Sequence, residues 1–115
     1  MLTTEQWLPL GSVVHLAGSD DLVTIFGYMQ QDIGTGLVWD YLGFVHPTGF
    51  TGPGNDIMFD RDSIDGVVCV GYQDFDWEHM SDLLRKTEPS YLEAKREAAA
   101  GASGGGAGTG GRQSW

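Results

Sequence analysis

Leu22-Val23-Thr24-Ile25-Phe26-Gly27-Tyr28-Met29 and Leu37-Val38-Trp39-Asp40-Tyr41-Leu42-Gly43-Phe44-Val45 are separated by Asp32-Ile33-Gly34-Thr35-Gly36. Both runs are rich in the β-branched and aromatic side chains that suit a pleated, half-buried surface. The segment between them carries the Asp and Gly chemistry of a turn. Two strands joined tightly must lie antiparallel. Within the second run Trp39, Tyr41, Gly43 and Val45 share one face, and Val38, Asp40, Leu42 and Phe44 share the other. Neither face is cleanly polar, which favours a curled sheet that buries parts of both sides.

The same pattern extends in both directions. Ser12-Val13-Val14-His15-Leu16 reads as an earlier strand, closed by the turn cluster Ala17-Gly18-Ser19-Asp20-Asp21. His46-Pro47-Thr48-Gly49 ends the third strand, because proline cannot donate to a ladder. A loop over Phe50–Asn55 leads to a short edge strand at Ile57-Met58-Phe59, then to one tight helical turn over Asp60–Gly66. Gly66–Tyr72 closes the sheet, with Cys69 expected as a small core residue. The predicted class is mainly β (α+β), a small curled antiparallel sheet or half-barrel of four to five strands.

One or two C-terminal helices should follow. Asp74 or Asp76 is placed to cap a helix whose Trp77, Met80, Leu83 and Leu84 recur at helical spacing. Thr87-Glu88-Pro89 predicts a break, with Pro89 in the first turn of a second helix over Ser90–Ala100. That helix has a thin apolar face of Tyr91 and Leu92, so it is expected to project, to fray or to dock on something else. The Gly-rich residues 101–115 cannot offset their ordering entropy by burial and read as a disordered tail. The organisation expected is therefore an arm at 1–7, a compact domain at 8–86, a second helix at 87–100 and a tail at 101–115.

Charge narrows the function. The chain has 115 residues and a formal net charge of −10. Residues 1–84 hold 13 acids and one base, Arg61, for −12, whereas residues 85–115 hold three acids and five bases, for +2. A body this acidic repels phosphate backbones, so neither nucleic acid nor an anionic membrane is an expected partner. No apolar run approaches the roughly 20 residues of a membrane span, and Met1–Pro9 lacks a signal-peptide core. With Cys69 alone, the expectation is a cytoplasmic protein without a disulfide.

Motifs of bond-making chemistry are scarce. His15, His46 and His79 fall on separate elements and have no short ligand spacing, so no metal site is expected. The run Asp60-x-Asp62-x-x-Asp65-Gly66 fails as a calcium loop, since Ile64, Asp65 and Gly71 occupy the positions that need an oxygen ligand, Gly and Glu. The glycine-rich stretch Gly49–Gly54 lacks the lysine of a phosphate loop, and there is no Gly-x-Ser-x-Gly elbow. No catalytic residue and no cofactor are assigned, and the chain is expected not to be an enzyme. Tyr91, Leu92 and Trp115 are the candidate partner contacts, together with the exposed side of the helix over 77–86.

Three runs then carry a resemblance. They are Leu8-Pro9-Leu10-Gly11-Ser12-Val13-Val14, Asp40-Tyr41-Leu42-Gly43-Phe44 with His46-Pro47-Thr48-Gly49, and Ile64-Asp65-Gly66-Val67 with Gly71-Tyr72-Gln73-Asp74. In this order they resemble the bacterial family known as domain of unknown function 4176, over about residues 7–84. The resemblance implies a small cytosolic accessory protein of type VII secretion and polymorphic-toxin loci in Gram-positive bacteria. On that basis the expected role is an adaptor or chaperone that binds a secreted effector or its targeting factor. Tyr72-x-x-x-Asp76 also matches the short signature of type VII substrates, although here it follows a strand instead of a helical hairpin. Two rival readings stay open: an immunity protein that neutralises a toxin, and a small-ligand or enzymatic domain built around His46.

Overall fold

A computed structural model describes residues 6–104. Five strands, β1 (Val13–Leu16), β2 (Leu22–Gln31), β3 (Val38–His46), β4 (Asp56–Phe59) and β5 (Ile64–Cys69), precede one helix, α1 (Phe75–Gly104). A single 3₁₀ turn over Arg61–Ser63 links β4 to β5. The strands form one open antiparallel sheet in the order β4-β3-β2-β1-β5, so the predicted α+β class holds and the sheet does not close.

The two opening runs make the longest pairing, and their register supports the predicted faces. Val45 lies opposite Val23, Gly43 opposite Ile25, Tyr41 opposite Tyr28 and Trp39 opposite Gln30. Between Ile25 and Gly27 the register slips by one, leaving Phe26 as the extra residue of a bulge. Gly43 is fixed by close approach: a Cβ there would stand 2.5 Å from Val23 Cγ1 and 2.6 Å from the Thr24 carbonyl oxygen. The core combines Val14, Val23, Ile25, Tyr41, Phe59 and Ile64 of the sheet with Leu84 and Tyr91 of α1.

Four expectations need correction. The segment read as an N-terminal arm contributes Trp7, which is 4% exposed and belongs to the core. Its ring meets Tyr28, Tyr41 and Tyr91 edge-on, while Leu8 is pinned by two hydroxyls: Tyr41 Oη accepts from the Leu8 N–H at 2.8 Å, and Tyr28 Oη donates to the Leu8 carbonyl at 2.6 Å. Cys69, expected in the core, is exposed at the end of β5, an edge strand, and its neighbours Val68 and Val70 are exposed with it. Gly101–Gly104, assigned to the tail, continue α1, and the rest of the tail lies outside the described residues.

The fourth correction concerns the helix break. α1 runs unbroken through Pro89. Trp77, Met80, Leu84, Glu88, Tyr91, Leu92 and Lys95 keep one face toward the protein without losing helical phase, whereas Pro89 is exposed on the outer face. The backbone bond that proline removes is therefore lost where water can replace it, and burial along the inner face outweighs that loss. The second helix, expected to project, to fray or to dock on something else, is the distal half of this one, held to the sheet.

Candidate functional site

The bond between helix and sheet is ionic. Asp40, on β3, is 3% exposed, yet it is a carboxylate. Its oxygens accept from the Tyr91 hydroxyl at 2.7 Å, Lys95 Nζ at 3.0 Å, the Arg61 N–H at 2.9 Å and Arg61 Nε at 3.2 Å. Asp60, at the end of β4, accepts from the Asp40 N–H at 3.1 Å and also from Lys95 Nζ. Arg61 reaches on to Glu88, 2.6 Å from Nη1, and its guanidinium lies 4.2 Å from the Trp7 ring centre. Trp7 Nε1 donates to the same Glu88 oxygen at 3.2 Å. One clasp thus ties β3, the β4–β5 link, the N-terminal segment and three successive turns of α1.

These contacts decide the charge states. Burial pushes the Asp40 carboxyl up, but donation from the Arg61 N–H, Tyr91 and Lys95 overrides it and holds the group below its ordinary range. Burial pulls Lys95 down, and its bonds to Asp60 and Asp40 more than reverse this, so its ammonium titrates above the usual lysine value. Burial, and then the hydrogen bond to Asp40, raises the Tyr91 phenol. An acid held ionised and a lysine held protonated are the opposite of groups poised to exchange protons near neutrality. The pocket beside them, about 410 Å³, is lined by the clasp residues with Asp62 and Leu92. Its arrangement fixes a helix; it offers no nucleophile with an adjacent free base.

A second depression differs in kind. At the junction of β2, the N-terminal segment and the first turns of α1 lies an open cleft of about 490 Å³. Pro9, Leu10, Phe26 and Tyr28 form one wall, and Trp77 and Met80 form the other. Tyr28 and Trp77 stack with their centroids 6.4 Å apart. Tyr72, 80% exposed, stands on the rim beside Asp74 and Asp76. Gln30 also lines the cleft; it is 5% exposed, its Nε2 donates to the Tyr28 carbonyl at 3.1 Å, and its buried Oε1 has no hydrogen-bond partner among the described residues.

Local sequence explains how the cleft is built. Asp74 caps α1, its carboxylate accepting from the Trp77 N–H at 3.0 Å, and this sets the helix entry angle. Gly71 packs so tightly that a Cβ would lie 2.1 Å from the Leu10 carbonyl oxygen, and its N–H donates to Ser12 Oγ at 2.9 Å. That crossing holds Leu10 and Tyr72 on one rim. The bulge at Phe26 gives β2 the extra residue that lies against the cleft while its ring meets Phe44.

The residues singled out by sequence land in different places. Tyr91 is buried, with its hydroxyl on Asp40, and Leu92 is half-buried against the core, so neither is the open contact expected of a projecting helix. Trp115 lies outside the described residues. On the first turns of α1, Trp77 and Met80 border the cleft and Leu83 is exposed. His46 sits exposed at the end of β3, His79 is exposed on α1, and His15 pairs with Asp65 across β1 and β5 at 2.5 Å. Among the described residues no group of three or more His, Cys, Asp or Glu is placed to hold a metal ion. No helix among them is long and apolar enough to cross a membrane. Sequence reasoning missed the clasp, because Glu88 and Lys95 look like ordinary surface charges; their 3.6-residue phase with Leu84 and Tyr91 was the available signal.

Fold and site together define a small open-sheet α+β domain, with one helix clasped over the sheet and an acid-rimmed apolar cleft where the helix starts. The model of the family described as Domain of unknown function (DUF4176) matches residues 7–80, and the chain belongs to that family. No curated protein and no solved structure matches it. Every residue named in the cleft falls within the matched span, whereas Glu88, Tyr91 and Lys95 of the clasp lie beyond it.

Proposed function

We propose that this protein is a non-enzymatic accessory protein of a type VII secretion locus, acting in the cytoplasm as an adaptor or chaperone for an effector or its targeting factor. The observation that carries the binding role is the open apolar cleft between β2 and α1, with Leu10, Phe26 and Tyr72 exposed at its margin. Aromatic side chains left in water around a concave apolar surface are a common feature of polypeptide recognition sites. The clasp supports the same reading, since it holds the helical wall rigid and keeps its own charged groups fully engaged. The secretion context follows the resemblance described above. Excess negative charge steers basic surfaces toward the domain and disfavours acidic ones.

The test is affinity capture of neighbouring gene products with the full chain. One partner retained at micromolar concentration, and retained at least fivefold less by Tyr72→Ala, is the expected result. Failure to retain any of them at that concentration removes the adaptor reading. Rescue of growth from a co-expressed toxin, with effector export unchanged, would replace it by an immunity role.

A further inference from the structure

The cleft carries a more specific chemistry than apolar contact. Its walls are aromatic and aliphatic, and its rim is acidic. The rim adds Asp74 and Asp76, and Glu78 follows within the same first turn of α1. Asp74 is committed to capping α1, whereas Asp76 is exposed on the rim and has no ion pair among the described residues.

We infer that the cleft receives a segment of a partner polypeptide presenting a tryptophan flanked by lysine or arginine. Tryptophan presents a large apolar ring surface, which suits an open apolar slot lined by Phe26, Tyr28, Tyr72 and Trp77. Tyr28, Trp77 and Tyr72 provide ring faces for edge-on or offset packing against the indole. The flanking cations meet Asp76 and Asp74 on the rim, and the −12 charge of residues 1–84 favours them at longer range. Arg61, the one Lys or Arg in that span, is turned into the clasp, and among the described residues that line the cleft there is no lysine or arginine. This inference rests on the binding role proposed above and specifies its ligand.

The probe is a dye-labelled peptide, Gly-Lys-Ser-Trp-Ser-Lys-Gly, titrated with the full chain and followed by fluorescence anisotropy. Saturable binding is expected, weakened at least tenfold when the peptide's Trp is replaced by Ala and at least fivefold when both Lys become Glu. Asp76→Asn should flatten the salt dependence, and Tyr72→Ala, on the exposed rim, should lower affinity without changing thermal stability. Equal binding of the Trp and Ala peptides overturns the inference, as does self-association of the chain that Tyr72→Ala abolishes, which would make a second copy the occupant. If the peptide fails while a neighbouring gene product is still captured in a Tyr72-dependent way, the ligand chemistry is wrong and the binding role stands. If neither binds, both fall.

Discussion

Asp40 shows how much one residue can decide. A lone ionised carboxylate buried to this depth costs several kcal/mol, and only the donors gathered by Tyr91, Lys95 and Arg61 make it tolerable. Removing the acceptor leaves Lys95 and Arg61 half-buried without their shared counter-charge. Asp40→Ala is therefore expected to destabilise the fold by about 3–5 kcal/mol, measured by urea denaturation, because breaking a buried pair costs far more than the pair contributes net. Tyr91 was legible as an important side chain; its direction was not. Sequence placed it on a thin apolar stripe, and only the position of Asp40 51 residues earlier shows what its hydroxyl is for.

At the scale of the element, α1 sets local rule against tertiary packing. Pro89 lies inside it, and proline in a helix interior costs about 3 kcal/mol or more. The helix persists because Leu84, Glu88, Tyr91, Leu92 and Lys95 engage the rest of the protein on either side of that position. Pro89→Ala restores a backbone bond on an exposed face, while giving back some entropy to the unfolded chain. The net expectation is a gain of about 1–3 kcal/mol, read as a higher denaturation midpoint with unchanged helical circular dichroism. The strands were readable because alternation and turn chemistry agree locally, and β2 and β3 extend only a residue or two beyond their predicted ends. The helix was misread because its second half is held by charges, which periodicity of apolar residues does not register.

Across the molecule, the ionised groups set a pH window. The depressed Asp40 value means that its contribution is fully present above the ordinary carboxylate value of 3.8 and is lost as pH falls through its lower folded value. The hydrogen bond to Asp65, opposed by slight desolvation and aided by its charge, raises His15 above 6.5. The His15 contribution is thus complete below 6.5 and fades as pH rises through the folded value, joining β1 to β5 most firmly in mild acid. Thermal melts should show a steep acid limb below pH 4 in the native chain and the loss of that limb in Asp40→Asn. Asp65→Asn should remove the decline just above pH 6.5 and leave the acid limb intact. An unchanged acid limb in Asp40→Asn would assign that limb to other carboxylates.

The strand segments along the chain, the two faces of β3, a helix cap at Asp74 or Asp76 and the acidic character of the body follow from sequence alone, because they rest on composition and on residues a few positions apart; the placing of β5 beside β1 does not. Tertiary structure alone decided that the sheet stays open, that Trp7 belongs to the core, that α1 crosses Pro89 intact, and that an apolar cleft remains where β2 meets the helix. Those outcomes depend on partners dozens of residues away: Glu88 on Arg61 and Trp7, Lys95 on Asp40 and Asp60, Gly71 on Leu10. A charge on a helix reads the same whether it faces water or a buried counter-ion, and only the folded chain distinguishes the two.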